Sequence, residues 1–286
     1  MALLCLLAPV PGLHAQTQED KQEANKEQGP PQEQQKPVDP PQQQNQNSNE
    51  IVAVPNRPTF ATTAETVQRG VLEIEFGFEV ADGHQNFNGL LKFGLFKKLE
   101  LRIGNNPFER DQGVAGQTDT GAGFKYKFFP QKGPRPTFSV VYTVTTPTGT
   151  HGLGSGGVGQ SVQGLLSKDF GKHHIDLNEG VQFVARQGAS GFDHNYFSAF
   201  SYSHPITEKW GWTAEIAGFT WTNTSTPATM TLLVGATYSP SPRLVLDGGI
   251  YIAAYGILPR VTGFAGFTYA ISDLYHLRAA NKSGKH

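Results

Sequence analysis

Twelve segments with alternating apolar and polar residues constrain the fold of this chain more than any other feature of the sequence. The first, GVLEIEFGFEV, places Leu72, Ile74 and Phe76 on one parity and Glu73 and Glu75 on the other. A period of two predicts β-strands with one apolar and one polar face. The segments are 71–81, 86–95, 98–105, 118–128, 137–146, 160–169, 174–186, 194–203, 209–221, 229–238, 242–253 and 260–271. Most have about 8 to 13 residues, close to what a tilted strand needs to cross a bilayer.

The connections between these segments tend to alternate in length. The longer set comprises 106–117, 147–159, 187–193, 222–228 and 254–259, and the shorter set comprises 96–97, 170–173, 204–208 and 239–241. Outer-membrane barrels have tight turns at one end and long loops at the other, whereas a soluble sandwich has no reason to sort its loops. The brief connection 82–85 and the long connection 129–136 depart from the pattern.

Aromatic residues cluster beside the shorter connections. They are Phe128, Tyr202, Trp210, Tyr238 and Tyr269, and each lies on the apolar parity of its segment. Such a set predicts a ring at the periplasmic membrane interface, where amphipathic rings are favoured. The alternative is a set of ordinary core aromatics at strand ends. Trp221 breaks parity with Trp210, which a β-bulge near Gly218 would explain.

Charged residues fall mainly on the parity opposite the apolar one. They include Lys92, Glu100, Arg102, Asp119, Lys125, Lys127, Asp176, Glu215 and Asp247. A Lys or Arg on a lipid-facing surface costs about 2 to 4 kcal/mol near the midplane, so we assign these residues to the lumen. The predicted fold is all-β: a closed antiparallel transmembrane β-barrel of about twelve strands, of the outer-membrane type.

The composition agrees with this fold. Charged residues make up 16% of the 286 residues, against about 25% in ordinary soluble domains. Aromatic residues make up 11%, and there are 33 glycines. The formal net charge of −1 gives no reason to expect a nucleic-acid partner. No apolar run reaches 18 residues, so no transmembrane helix is predicted.

The pattern divides the chain into five segments. Residues 1–15 resemble a secretory signal peptide, with Cys5 inside it, and 16–50 form a Gln- and Pro-rich linker that we predict to be disordered. Residues 51–70 are a leader that could fold into the periplasmic mouth as a plug. The barrel is predicted over 71–271, and 272–286 form a polar tail. We expect a bacterial outer-membrane protein with the linker and the C-terminus in the periplasm.

Several short motifs resemble a known family in their order and spacing. They are Asn56-Arg57-Pro58-Thr59-Phe60, Glu65, Gly70 with the start of the first strand, LLKFGLFKKLELRIG at 90–104, Asp119, GFKYKFF from Gly123, and PTG at 147–149. The chain resembles, over about 55–271, the outer-membrane transporter family named for the meta-pathway of phenol degradation. The resemblance implies an outer-membrane barrel that passes small compounds, aromatic or hydrophobic ones among them.

The inward charges are the best candidates for contact with a solute. The lumen and transport candidates are Arg57, Glu73, Glu75, Glu79, Lys92, Arg102, Asp119, Lys125, Glu215 and Asp247. The alternative is a network of salt bridges that only keeps a narrow lumen satisfied. We also hypothesise that Arg57 pairs with the acids of the first strand. Outer-membrane lipid and a small-molecule solute are the expected partners, and the oligomeric state stays open.

Two other classes of function remain as alternatives. One is a structural or adhesive barrel with a blocked lumen, acting through loops 106–117 and 147–159. The other is an outer-membrane hydrolase, for which His194 with Ser198 and Ser203 with His204 are the close Ser–His pairs. No motif supports them, and we predict no enzyme, catalytic residue or cofactor. We also predict no metal site, because adjacent His173 and His174 point to opposite faces of a strand.

Overall fold

The computed structural model describes residues 50–278, apart from 112, 187–188, 224–225 and 257–259. The predicted signal peptide, nearly all of the predicted linker and residues 279–286 of the predicted tail lie outside the described residues. Within the described part of the chain, no helix has the length and hydropathy needed to cross a membrane.

The fold is one large antiparallel sheet. Its strands are β1 (Val71–Ala81), β2 (His84–Phe96), β3 (Leu99–Asp111), β4 (Val114–Gly116), β5 (Thr120–Phe129), β6 (Thr137–Thr146), β7 (Gly159–Phe170), β8 (His173–Ala185), β9 (Phe192–Pro205), β10 (Trp210–Phe219), β11 (Thr229–Ser241), β12 (Leu244–Tyr255) and β13 (Val261–Asp273). β1 pairs with both β2 and β13, which closes the sheet into a barrel. The three-residue β4 pairs with the end of β3, so twelve strands form the wall and the predicted fold is confirmed.

The connections separate the two ends of the barrel. One end, called here the short-turn end, carries 97–98, 130–136, 171–172, 206–209 and 242–243, and also the start of β1 and the end of β13. The other, the long-loop end, carries loops such as 147–158 and 220–228, together with the two-residue turn at Asp82 and Gly83. Gly83 has φ +71°, which suits the tight turn of a hairpin.

The outer surface is largely apolar, as the alternation predicts. Trp210 and Tyr238 lie beside each other near the short-turn end, with ring centroids 4.7 Å apart. Among the strand residues that the structure describes, one carboxylate interrupts this surface. Glu179 is exposed on the outer face of β8, where it accepts a hydrogen bond of 2.6 Å from Ser198 on β9. The assignment of charge to the lumen therefore has an exception at Glu179.

Two details of the strand pattern differ from the prediction. β3 continues to Asp111, because residues predicted as a loop pair with β2 beyond a register shift between Phe87 and Gly89. The shift resets the parity, so the alternation is not visible in the sequence there. The predicted bulge near Gly218 is wrong. β10 pairs in continuous register with both neighbours and ends at Phe219, which leaves Trp221 outside the sheet.

Candidate functional site

The leader, residues 51–70, lies inside the barrel and follows the inner wall near the short-turn end. Its backbone lies outside the sheet, so its buried N–H groups need side-chain acceptors. The N–H groups donate from Val54 to Glu73 (2.8 Å), Asn56 to Glu75 (2.8 Å), Phe60 and Ala61 to Glu215 (2.9 and 2.5 Å), Thr62 to Asn178 (2.6 Å), Ala64 to Ser167 (2.6 Å) and Val67 to Glu100 (2.8 Å). These acceptors belong to β1, β10, β8, β7 and β3. Through these hydrogen bonds the leader contacts five strands of the inner wall before β1 begins.

A buried cation lies between the two strand-one acids that hold the start of the leader. Lys92 Nζ lies 2.6 Å from Glu73 Oε1 and also pairs with Glu75. The same Nζ donates to the carbonyl of Val54 at 2.5 Å. Lys92 and Glu73 are fully buried, so removing the lysine would leave the two buried carboxylates without a cation. Glu73, Glu75 and Lys92 therefore form part of the surface that binds the leader.

A second set of polar contacts holds the later part of the leader, at Thr63 and Glu65. Lys125 Nζ donates to the carbonyls of Thr63 and Glu65 at 2.8 and 2.9 Å. The Glu65 carboxylate pairs with Lys127 at 2.7 Å and accepts from Thr137 at 2.9 Å. Together these contacts fix both the backbone and the side chain of Glu65, one of the residues on which the family resemblance rests.

Arg57 anchors the part of the leader that crosses the lumen. Its guanidinium donates to both carboxylate oxygens of Asp247 on β12, at 3.2 and 3.1 Å, and to Asn88 Oδ1 on β2 at 2.8 Å. Two paired glycines leave room for it. A Cβ atom at Gly77 would lie 2.0 Å from Arg57 Nη1, and one at Gly266 would lie 2.5 Å from Arg57 Nε. A glycine inside a strand often marks such a close approach.

Two cavities meet the leader at Arg57, Pro58 and Thr59. The lower cavity has a volume of about 350 Å³ and opens among short-turn residues that include Lys209 and Pro242. The upper cavity has a volume of about 370 Å³ and lies toward the long-loop end. Its lining is Phe60, Glu79, Asn86, Asn88, Asn106, Leu233, Tyr251 and Phe264, besides the three shared residues. The leader thus stands between two spaces inside one barrel.

The structure separates the ten predicted lumen residues into groups. Glu73, Glu75, Lys92, Lys125 and Glu215 contact the backbone of the leader, and Asp247 contacts its side chain at Arg57. Arg102 lies beside Glu100, with Nη1 3.8 Å from Oε1. Glu79 lines the upper cavity.

Two predicted placements need correction. Arg57 pairs with Asp247 on β12, not with the strand-one acids, because Lys92 already occupies Glu73 and Glu75. Asp119 precedes β5 and lies in the long loops, where its carboxylate accepts from the N–H groups of Gly149 and Ser155 at 2.9 and 2.7 Å. Asp119 therefore holds two loops together at the long-loop end.

The Ser–His pairs considered for hydrolysis do not form a catalytic arrangement. Ser203 and His204 are adjacent on β9 and point to opposite faces. Ser203 donates to Thr213 at 3.0 Å. Ser198 donates to Glu179 on the outer face of the barrel. Among the described residues, no cluster of three or more His, Cys, Asp or Glu could hold a metal ion.

Several residues of this site carried no individual signal in the sequence. They are Asn88, Asn178, Ser139 and Ser167, which bind the leader, and Tyr251 and Phe264, which line the upper cavity. Their inward parity was readable, but small polar and aromatic residues on that parity are also expected in any barrel lumen. Gly77 and Gly266 could have been found, because a glycine inside an apolar strand indicates a close approach.

A closed twelve-strand antiparallel barrel with an apolar belt and an internal leader defines a protein of the outer-membrane barrel class. The family model described as "Putative MetA-pathway of phenol degradation" matches residues 55–257, and the chain belongs to this family. The match covers both the crossing part of the leader and most of the barrel wall.

Solved structures with the same fold are outer-membrane channels and porins. The COG4313 outer membrane channel from Pseudomonas putida F1 is 13% identical, with a TM-score of 0.57 over 73% of this chain and 98% of that one. The NanC porin is 9% identical, with a TM-score of 0.52 over 70% and 100%. The KdgM porin is 10% identical, with a TM-score of 0.50 over 70% and 99%. None of the curated proteins compared with the chain matches it.

Proposed function

We propose that this protein is an outer-membrane channel for small solutes, aromatic or hydrophobic ones among them, and that the leader controls passage. Solutes move between the upper and the lower cavity, past the crossing at Arg57, Pro58 and Thr59. The similar solved structures are a channel and two porins, which supports this class of function.

The position of Arg57 carries the proposal. It lines both cavities, and side-chain contacts to Asp247 and Asn88 hold it in place. Contacts of this kind can break and re-form without disturbing the sheet, because the barrel hydrogen bonds do not involve them. Releasing Arg57 would open a path between the two cavities along the wall that it now contacts, formed by β12, β13 and β1.

Reconstitution into planar bilayers and liposomes tests the proposal. We expect measurable conductance and uptake of small neutral solutes by the wild-type protein. Arg57→Ala should increase both, because the crossing loses its anchor. Arg110→Ala, at an exposed position of β3, is the matched control and should behave as wild type. The absence of conductance and solute uptake for the wild type and for Arg57→Ala would rule out a channel.

A structural or adhesive barrel is the second candidate, and the leader itself favours it. The leader's backbone and side chains are bonded to the wall over most of the lumen near the short-turn end. A barrel closed in this way could act through its long loops alone. Wild-type conductance separates the two, because a permanently closed barrel would show none.

We also propose that the short-turn end faces the periplasm, which places the start of the leader and the end of β13 on that side. The support is the general arrangement of outer-membrane barrels, with short turns inside the cell envelope and long loops outside. A cysteine introduced at His151, in the loop between β6 and β7, should react with an impermeant maleimide on intact cells. A cysteine at Lys172, in a short turn, should react only after the outer membrane is opened.

A further inference from the structure

The upper cavity has one aromatic and apolar wall. Leu233, Tyr251 and Phe264 come from three neighbouring strands and form one buried cluster. Phe60 of the leader adds an edge-to-face contact to Tyr251, with ring centroids 5.4 Å apart. The Phe60 side chain is still 37% exposed, so part of its ring surface remains available. An organic molecule in the cavity would find ring faces on this side.

The strand next to this wall, β1, carries a carboxylate that only neutral groups contact: Glu79 lies opposite Phe264 in the pairing of β1 with β13. Glu79 accepts hydrogen bonds from Asn88 Nδ2 at 2.9 Å, Tyr251 Oη at 3.0 Å and Asn86 Nδ2 at 3.4 Å. A carboxylate has about four acceptor positions, so one remains free. Among the described residues, no Lys, Arg or His forms an ion pair with Glu79.

Glu79 has no ion-pair partner among the described residues, and its link to a cation is indirect: Asn88 donates to Glu79 and accepts from Arg57. Of the described lining residues, Arg57 is the one with a basic side chain. It forms two hydrogen bonds to Asp247, a carboxylate that is not part of the lining. Glu109 and Asp111 also lie on the inward parity of the end of β3, where they add negative charge at the long-loop mouth. A cavity with a low-dielectric wall and one sign of charge concentrates ions of the opposite sign.

We infer that the upper cavity binds small organic cations, namely amines or quaternary ammonium compounds with a compact hydrophobic body. The cationic end lies against Glu79, and the hydrophobic body lies against Phe60, Tyr251 and Phe264. Aromatic faces attract such cations, and the cavity volume of about 370 Å³ is in the range of small-molecule sites. This inference rests on the proposed function, because it names the solute class that the channel admits best.

A matched set of ligands tests the inference by equilibrium binding to the purified full chain. Benzylamine, benzyltrimethylammonium, benzyl alcohol and benzoate share one ring and differ in charge. At pH 7 and low salt we expect the two cations to bind about tenfold tighter than the alcohol, and benzoate to bind more weakly than the alcohol. Equal affinities for the amine and the alcohol would overturn the inference.

Glu79→Gln identifies the group responsible. The amide keeps the size of the side chain and removes its charge, so the cation preference should fall to about twofold or less while benzyl alcohol binding stays the same. Glu208→Gln, in a short turn at the other end, should keep the full preference. A retained preference in Glu79→Gln would contradict the assignment. If that variant does not fold, the wild-type ligand series decides by itself.

Liposome swelling with the same four compounds separates this inference from the proposed function. Passage of all four at equal rates, with equal binding, overturns the cation site and leaves the channel intact. Passage of none overturns the channel, and the binding series then reports on the cavity independently. Faster uptake of the cations, lost in Glu79→Gln, supports both.

Discussion

Glu73 and Glu75 differ from Glu79 in what surrounds them, although all three lie on the inward face of the same strand. Glu73 and Glu75 lie deep in the part of the lumen that the leader fills, where they bind its backbone N–H groups and share Lys92. Glu79 lies four residues beyond Glu75, beside an open cavity, and its donors are two amides and a phenol. Identical chemistry in one strand therefore has two roles.

The difference shows that the lumen has a filled half and an open half. In the filled half, inward carboxylates and lysines replace the strand partners that the leader lacks, so the region behaves as a polar core. In the open half, the lining has one carboxylate without an ion-pair partner among the described residues, and the partly exposed ring of Phe60. The predictions below test this division, beginning with the change that should have the largest effect on stability.

Lys92→Met should destabilise the filled half most. It leaves Glu73 and Glu75 facing each other without a cation, and breaking a buried ion pair in this way costs about 3 to 5 kcal/mol. Urea unfolding of the protein in lipid, followed by heat-modifiable gel migration, measures the change. Lys98→Met, at an exposed turn position, should stay within about 0.5 kcal/mol of wild type. Equal stability of both variants would show that the ion pairs contribute little.

The barrel wall was predictable from the sequence, because strand alternation, turn length and interface aromatics are local signals. Each predicted segment falls on an observed strand. The alternation failed at the end of β3, where a register shift resets the parity, and at Glu179, which lies on the predicted apolar parity. Parity alone does not tell whether an acidic residue on the apolar side of a strand, such as Glu179, lies within the membrane or at its edge.

The arrangement inside the lumen was much less predictable. Parity places Asp247 and Glu215 inside, but it does not say which of them a segment 150 or more residues away will contact. The partner of Arg57 depended on Lys92 having already taken the strand-one acids. Such competition between charges is decided by three-dimensional distance, which spacing along a strand does not contain.

Gly77→Ala should release the crossing part of the leader. The added Cβ would lie 2.0 Å from Arg57 Nη1, so the guanidinium must leave its place beside Asp247. We expect a loss of about 1 to 3 kcal/mol in stability and a conductance close to that of Arg57→Ala. The double variant should add nothing, because both changes remove the same anchor.

Gly104→Ala is the matched control for this substitution. Gly104 also faces the lumen, but a Cβ there would meet its nearest heavy atom at an ordinary 3.4 Å. Its conductance should equal that of the wild type. An increase in Gly104→Ala as large as in Gly77→Ala would mean that Arg57 is not the element that limits passage.

A disulfide between the leader and the wall should lower solute uptake, the opposite of what releasing the leader should do. The γ-oxygens of Thr63 and Ser167 are 3.4 Å apart, so Thr63→Cys with Ser167→Cys places two thiols within bonding reach. We expect the oxidised form to take up solute at the level of protein-free liposomes and the reduced form to recover wild-type uptake. Thr63→Cys alone should not respond to oxidation. Unchanged uptake in the locked form would show that solutes pass a stationary leader.

Glu215→Gln should have the smallest effect on stability, because it removes one hydrogen bond at the boundary between the filled half and the open half. The carboxylate accepts from the N–H groups of both Phe60 and Ala61, whereas an amide offers one oxygen and turns its NH₂ toward the second N–H. Losing one such hydrogen bond costs about 1 to 2 kcal/mol. Asp82→Asn, at an exposed turn position, should cost nothing measurable.

The same variant tests whether a change in the filled half alters ligand binding in the open half. Glu215 positions Phe60, and Phe60 contributes a ring to the upper cavity, so the affinity for benzylamine should fall by about twofold. The affinity should fall far more in Glu79→Gln, which changes the cavity wall directly. An equal loss in both variants would mean that the position of the leader, and not the charge of Glu79, determines which solute the cavity holds.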